Sequence, residues 1–117
     1  MTEGYAPLRD WVKNRLVSQG IIKENDNNET IIVSGGQQGI DLASKSLLNP
    51  GDAVVCEQPS FIGGLNCFRS YNAEIYGVKV QSDGIDMEEL EALLKQHSNI
   101  KILYTIATFQ NPSGITM

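Results

Sequence analysis

Ala53-Val54-Val55-Cys56-Glu57 is the stretch that most narrows what this chain can fold into. Its unbroken apolar start leaves no side for water, so it reads as a strand buried on both faces, as in parallel sheets. Turn formers bound it, Asn49-Pro50-Gly51-Asp52 before and Gln58-Pro59-Ser60 after. Such a strand needs a covering layer above and below, and helices supply those layers in α/β folds.

The rest of the chain provides them. Leu8, Trp11, Val12 and Leu16 fall at helical spacing, with Pro7 in the first turn and Gly20 as the stop. Trp11 is expected in the core. Residues 23–29 are polar and rich in turn formers, so they read as a surface loop. Thr30-Ile31-Ile32-Val33 reads as a first strand. It runs into Ser34-Gly35-Gly36, and a helix follows from about Gln37 to Leu48 with Ile40, Ala43, Leu47 and Leu48 on its apolar face. After the buried strand comes a short helix with Phe61, Ile62, Leu65 and Phe68 on one side. Gly63 and Gly64 weaken it or permit close packing. Glu74 to Val80 alternates as a strand. Asp86 is an N-cap, and Glu89 completes a capping-box-like pair. Met87, Leu90, Leu93 and Leu94 make the next helix amphipathic, with His97 at its solvated or dipole-facing end. Ile100 to Ile106 is the last strand. The alternation predicts an α/β, three-layer structure with a largely parallel sheet and flanking helices, one partial domain over residues 1–117.

Composition excludes some classes. A net charge of −5 gives no nucleic-acid footprint. No apolar run spans a bilayer, and the N-terminus lacks a signal-peptide pattern. Cys56 and Cys67 match no metal-ligand spacing and read as reduced core residues, which points to the cytoplasm.

A strand that turns tightly into a helix exposes backbone N–H groups at the positive end of the helix dipole, a natural seat for phosphate. Gly35 and Gly36 let the backbone approach such a group. The same glycines also suit a plain strand-to-helix turn. Ligands of parallel sheets bind beyond the C-terminal ends of strands. Three stretches fall there: the glycine turn, the Pro59-Ser60-Phe61 corner and the Asn111-Pro112 loop.

Taken in order, these motifs resemble the fold-type I pyridoxal-phosphate enzymes. The likeness is to class I/II aminotransferases of the aminoadipate/kynurenine kind and to the aminotransferase-like domain of certain bacterial regulators. Gly4-Tyr5-Ala6-Pro7-Leu8-Arg9 resembles the family's G-x-x-x-L-R segment. Ser34-Gly35-Gly36-Gln37-Gln38 resembles its S-G-x-Q-Q turn, and Leu48-Asn49-Pro50-Gly51-Asp52 its L-x-P-G-D turn. Glu57-Gln58-Pro59-Ser60-Phe61 resembles E-x-P-x-[Y/F], and Asn111-Pro112-Ser113-Gly114 resembles N-P-[ST]-G.

The resemblance implies pyridoxal 5′-phosphate as cofactor, an amino acid and a 2-oxo acid as substrates, and a homodimer. It implies that Ser34, Gly35, Gly36 and Gln37 hold the phosphate and that Phe61 stacks on the pyridine ring. It gives Asn111 a hydrogen bond to the ring hydroxyl oxygen and a place beside the substrate. Tyr5 is implied as a cofactor or substrate contact, in one arrangement across the dimer interface. None of the lysines, such as Lys13, Lys45, Lys79, Lys95 or Lys101, stands at the family's Schiff-base position. The expectation is therefore an internal fragment of a large domain, inactive alone and prone to self-association through uncovered edges. Two other readings stand beside it. One is a ligand-sensing domain of a transcriptional regulator. The other is a nucleotide-binding α/β domain, which a missing G-x-G-x-x-G disfavours.

Overall fold

The computed structural model describes residues 2–25 and 27–117, so Asp26 of the polar loop lies outside the described residues. The chain divides into two compact units, residues 1–36 and 37–117.

The first unit is built on helix α1 (Ala6–Ser18). The Tyr5 carbonyl accepts the amides of Leu8 and Arg9, both at 3.1 Å, and opens the helix. Gly20 ends it with φ +70°, its N–H donating to the Val17 carbonyl, a left-handed stop that glycine adopts at no steric cost. Residues 27–33 run back along α1 without entering a sheet. Arg9 Nε donates to the Thr30 carbonyl at 2.6 Å, and Lys13 Nζ donates to the Asn28 carbonyl at 3.1 Å. The Ile32 amide donates to the Glu3 carbonyl. The expected strand Thr30–Val33 is thus corrected to an extended segment held by side-chain donors, since no ladder partner lies beside it among the described residues. Trp11 is also corrected: it is 57% exposed, with the Arg15 guanidinium 5.4 Å from its ring centroid, a cation–π contact rather than core packing.

The second unit contains α2 (Gly36–Leu47), β1 (Ala53–Gln58), α3 (Ile62–Ser70), β2 (Glu74–Gln81), β3 (Gly84–Ile85), α4 (Met87–Gln96) and β4 (Ile100–Tyr104). Only the first residue of α2 belongs to the other unit. The strands form one sheet in the order β3-β2-β1-β4. β1 pairs in parallel with β2 and with β4, and only the short β3 runs antiparallel, on the outer side of β2. The expected largely parallel sheet is present.

Ala53, Val54 and Val55 have no exposure at all, as the uninterrupted apolar run requires. Because strand side chains alternate, Val54 and Cys56 face one layer with Leu48 and Phe68, backed by Ile40 and Leu65 of α2 and α3. Val55 faces the other with Val78 of β2 and Leu90 of α4. That gives three layers. The Phe68 ring meets Tyr104 edge-on at 5.5 Å, a favoured aromatic geometry.

Several faces differ from the periodic reading. On α2 the buried residue is Ser44, and Leu48 is buried just past the helix end, while Leu47 and Ala43 are exposed. The Ser44 hydroxyl donates to the Ile40 carbonyl at 2.8 Å, and the Cys67 thiol of α3 lies 3.8 Å from Ser44 Oγ. Ile62, Met87 and Leu94 are exposed, leaving Phe68 and Leu90 as the buried anchors of α3 and α4. Asp86 caps α4 as expected, accepting from the amides of Glu88 and Glu89. Glu89 does not close a capping box. Its carboxylate accepts the Lys79 amide at 3.0 Å, using a backbone donor on β2. His97 ends α4 and stacks on Tyr76 with centroids 4.2 Å apart.

Candidate functional site

β1 and β4 are parallel neighbours, so the chain leaves both at the same end of the sheet. The Pro59-Ser60-Phe61 corner follows β1, and the 105–114 loop follows β4. Two of the three stretches picked from the sequence therefore emerge side by side, where parallel sheets place ligands.

Phe61 is the N-cap residue of α3, and no side chain caps that helix. Its ring lies back over the first turn. A Cβ built on Gly63 would stand 2.6 Å from Phe61 Cζ and 2.9 Å from Gln37 Oε1, so a side chain here would displace the ring or the Gln37 amide. Gln37 Nε2 donates to the Gly63 carbonyl at 3.1 Å. The ring and the Gln37 amide are thus gathered around one bare backbone position. Gly64 brings α3 close to β4, where an added Cβ would be 3.2 Å from Tyr104 Cε1. The two glycines serve close approach, one of the two roles the sequence allowed.

At the start of α2, Gly35 has φ +84°, a backbone only glycine adopts comfortably. Among the described residues an added Cβ on Gly35 or Gly36 would meet nothing within 4 Å. The first turn of any α-helix carries amides without intrahelical partners. A glycine-lined turn at the N-terminus of a 12-residue helix fits an anionic group. Ser34 stands just before it in the chain, and Gln37 just inside the helix.

Asn111 lies in a loop whose preceding residue, Gln110, is 1% exposed. Gln110 Nε2 donates to Glu57 Oε2 at 2.9 Å and to the Pro59 carbonyl at 2.8 Å. Its Oε1 accepts the Ser113 amide at 2.8 Å. The Gln58–Pro59 and Asn111–Pro112 peptide bonds are both cis. Asn111 itself is exposed. Tyr5, the remaining sequence-predicted residue, is the N-cap residue of α1 in the first unit and is 67% exposed.

A cleft of about 430 Å³ opens by the corner between Gln58, Ser60, Arg69 and Gly77. Among the described residues the buried Ser60 hydroxyl has no hydrogen-bond partner. Cys56 borders this cleft, and burial, helped by Glu57 and opposed by Arg69, pushes its thiol up to about 11. That shift favours the protonated thiol near pH 7, the less nucleophilic form. A larger cleft of about 570 Å³ lies at Asp83–Glu88 and Met117 and contains none of the motif residues. Among the described residues no cluster could hold a metal ion, and no helix is long and apolar enough to cross a membrane.

Sequence reasoning named Glu57 only as part of a motif and left Gln110 out. A charged residue closing an apolar strand run was the available signal for Glu57. Gln110 carried none, because an exposed-type amide in a loop has no periodicity.

The sequence matches the family "Aminotransferase class I and II" over residues 2–117. It is 36% identical to aromatic-amino-acid aminotransferase 1 of Thermococcus litoralis, over 99% of this chain and 28% of that protein. The crystal structure of Pyrococcus horikoshii kynurenine aminotransferase, in complex with PMP, KYN and KYA, superposes with a TM-score of 0.93 at 36% identity, over 100% of this chain and 30% of that one. LysN, the α-aminoadipate aminotransferase of Thermus thermophilus, solved with N-(5′-phosphopyridoxyl)-L-leucine, superposes at 0.82 with 34% identity, over 98% of this chain and 28% of its own. The chain thus spans somewhat under a third of the length of these relatives.

Proposed function

Because the chain belongs to the class I and II aminotransferase family, we propose that residues 1–117 are the N-terminal part of the large domain of a pyridoxal 5′-phosphate-dependent enzyme. That enzyme moves an amino group between an amino acid and a 2-oxo acid, as a homodimer. Two free, buried cysteines support a reducing, cytoplasmic setting. When bound, the cofactor supplies the electron sink for bonds broken at the substrate's α-carbon. The protein's part is to bind and orient it.

The backbone of Gly36 and Gln37 receives the phosphate, with Gly35 providing clearance and Ser34 the neighbouring hydroxyl. Phe61 covers one face of the ring, a contact worth about 1 kcal/mol beyond area burial. The Asn111 amide donates to the ring hydroxyl oxygen and holds it deprotonated. Asn111 borders the substrate. No residue of this chain is assigned a covalent role, so residues 1–117 alone are expected not to turn over.

The observation that carries this reading is the gathering of the Phe61 ring and the Gln37 amide around Gly63, at the sheet end where Asn111 also emerges. Titrating the isotope-labelled chain with pyridoxal 5′-phosphate tests it. The amides of Gly36 and Gln37 are expected to shift together, and Phe61→Ala to weaken binding about tenfold, the equivalent of about 1.4 kcal/mol. Shifts scattered over surface lysines, or a borohydride-reducible adduct with turnover at one defined lysine, would overturn the assignment.

A further inference from the structure

Glu57 is 2% exposed, and among the described residues it forms no ion pair. Burying a carboxylate without a cation is costly unless donors fill its lone pairs. Here every recorded donor comes from one segment. Thr105 Oγ1 donates to Oε1 at 2.6 Å, the Ile106 amide reaches Oε1 at 3.3 Å and Oε2 at 3.4 Å, and Gln110 Nε2 reaches Oε2 at 2.9 Å.

Gln110 is used to capacity on its amide nitrogen. Both N–H groups go to acceptors, Glu57 Oε2 and the Pro59 carbonyl, while its oxygen takes the Ser113 amide. Neither acceptor can donate, so the amide has one orientation. The Gln110 amide N–H also donates to the Ile115 carbonyl, and its own carbonyl accepts the Gly114 amide. Asn111 therefore sits inside a short loop pinned on both sides by Gln110 and tied through it to the residues leading into Phe61.

An apolar pair of similar size would fill this space without fixing direction. Charge-assisted hydrogen bonds fix the loop's register as well as its distance. We propose that Glu57 and Gln110 are positioning residues: they set the Asn111 loop against the Phe61 corner so that the ring-facing groups are arranged before the cofactor arrives. The part of this that concerns the cofactor rests on the pyridoxal-phosphate reading above.

Glu57→Gln tests it, because the shape is kept and the new NH2 group must face a donor, either Gln110 Nε2 or the Ile106 amide. Amide exchange at Ile106 and Ser113 is expected to rise about tenfold or more, with exchange at Val55 and Tyr76 in the sheet unchanged. Glu57→Gln combined with Gln110→Glu restores one donor–acceptor pair and is expected to recover part of the Ser113 protection, which a purely space-filling role would not do. Thr105→Val removes a single donor at an exposed position and is expected to raise Ile106 exchange about threefold. Should Glu57→Gln fail to fold, this variant decides the matter. Unchanged exchange in the loop, or uniform loosening of the whole sheet, overturns the proposal. With pyridoxal 5′-phosphate added, the Asn111 side-chain amide is expected to shift in the parent chain and not in Glu57→Gln. A shift equal in both overturns the positioning role. No shift in the parent chain, with loop exchange behaving as stated, sinks the cofactor reading and leaves the loop clamp standing.

Discussion

Two apolar runs of similar sequence character meet different fates in this molecule. Ala53–Gln58 becomes the central strand of the sheet, with Ala53, Val54 and Val55 wholly buried. Thr30–Val33 becomes an extended segment whose Ile31 is 54% exposed. Both are β-branched and short. The difference lies in their partners. β1 has a parallel neighbour on each side and a helical layer on each face. The other segment has Arg9 bonded to its Thr30 carbonyl, Lys13 bonded just before it at the Asn28 carbonyl, and its Ile32 amide bonded to the Glu3 carbonyl. β-propensity describes fitness for a pleated, half-buried surface; it does not provide that surface.

The same substitution in both runs would break or sharpen this contrast. Val55→Asp puts an unpaired carboxylate where no water reaches and is expected to cost on the order of 4 kcal/mol or more. That is a large share of the 5–15 kcal/mol that roughly bounds a domain's stability. Ile31→Asp is expected to cost less than about 1 kcal/mol, because the side chain is already half in water. Urea-unfolding midpoints measure both. Equal losses would show that the segment at 30–33 is as integral as β1.

A middle-sized effect is expected where β4 meets α3. Gly64→Val drives a branched side chain into the Tyr104 ring, already 3.2 Å from a bare Cβ, and is expected to cost about 1–3 kcal/mol. The same change at Gly35, where a Cβ meets nothing among the described residues, strains only the backbone at φ +84°. A larger loss at Gly35 would show that backbone conformation outweighs packing in this chain.

The smallest effect concerns helix starts. α4 begins at Asp86, whose carboxylate accepts two backbone amides, whereas α3 begins at Phe61 with no side-chain cap. The Glu89 amide, with help from Gln81 and the Glu88 amide, holds the Asp86 carboxyl below the ordinary carboxylate range. A lowered carboxyl contributes its stability in full above its unfolded value, near 4 as a rough guide, and loses it as pH falls through the lower folded value. Stability is therefore expected to decline through that acid window in the parent chain and to decline less in Asp86→Asn. Identical acid profiles would remove Asp86 from the account. At α3 the residue in the capping position is the ring proposed to face the cofactor, and it offers no side-chain acceptor to the first-turn amides.

Much of the architecture was legible residue by residue. The Asn49–Asp52 turn, the buried run after it, the Asp86 cap and the Gly20 stop each rest on local chemistry, and each is where the pattern puts it. β3 was not legible, being two residues that exist only because Val80 and Gln81 offer a free edge. Nor was the use of Glu89, whose carboxylate found a strand amide instead of its own helix start. Of the site, Phe61, Gln37 and Asn111 could be singled out in the sequence. The Glu57–Gln110 pair could not, because it joins residues 53 positions apart.

The sequence by itself determined the layer order, the doubly buried strand, the turns and the family, since these follow from periodicity, backbone preference and short motifs. Only the tertiary structure decided which apolar residues are covered, which run joins the sheet, and how the loop carrying Asn111 is held at the end of β1. Those outcomes depend on partners distant along the chain. A hydrogen bond or a buried face is a property of two surfaces at once, and a linear pattern records only one of them.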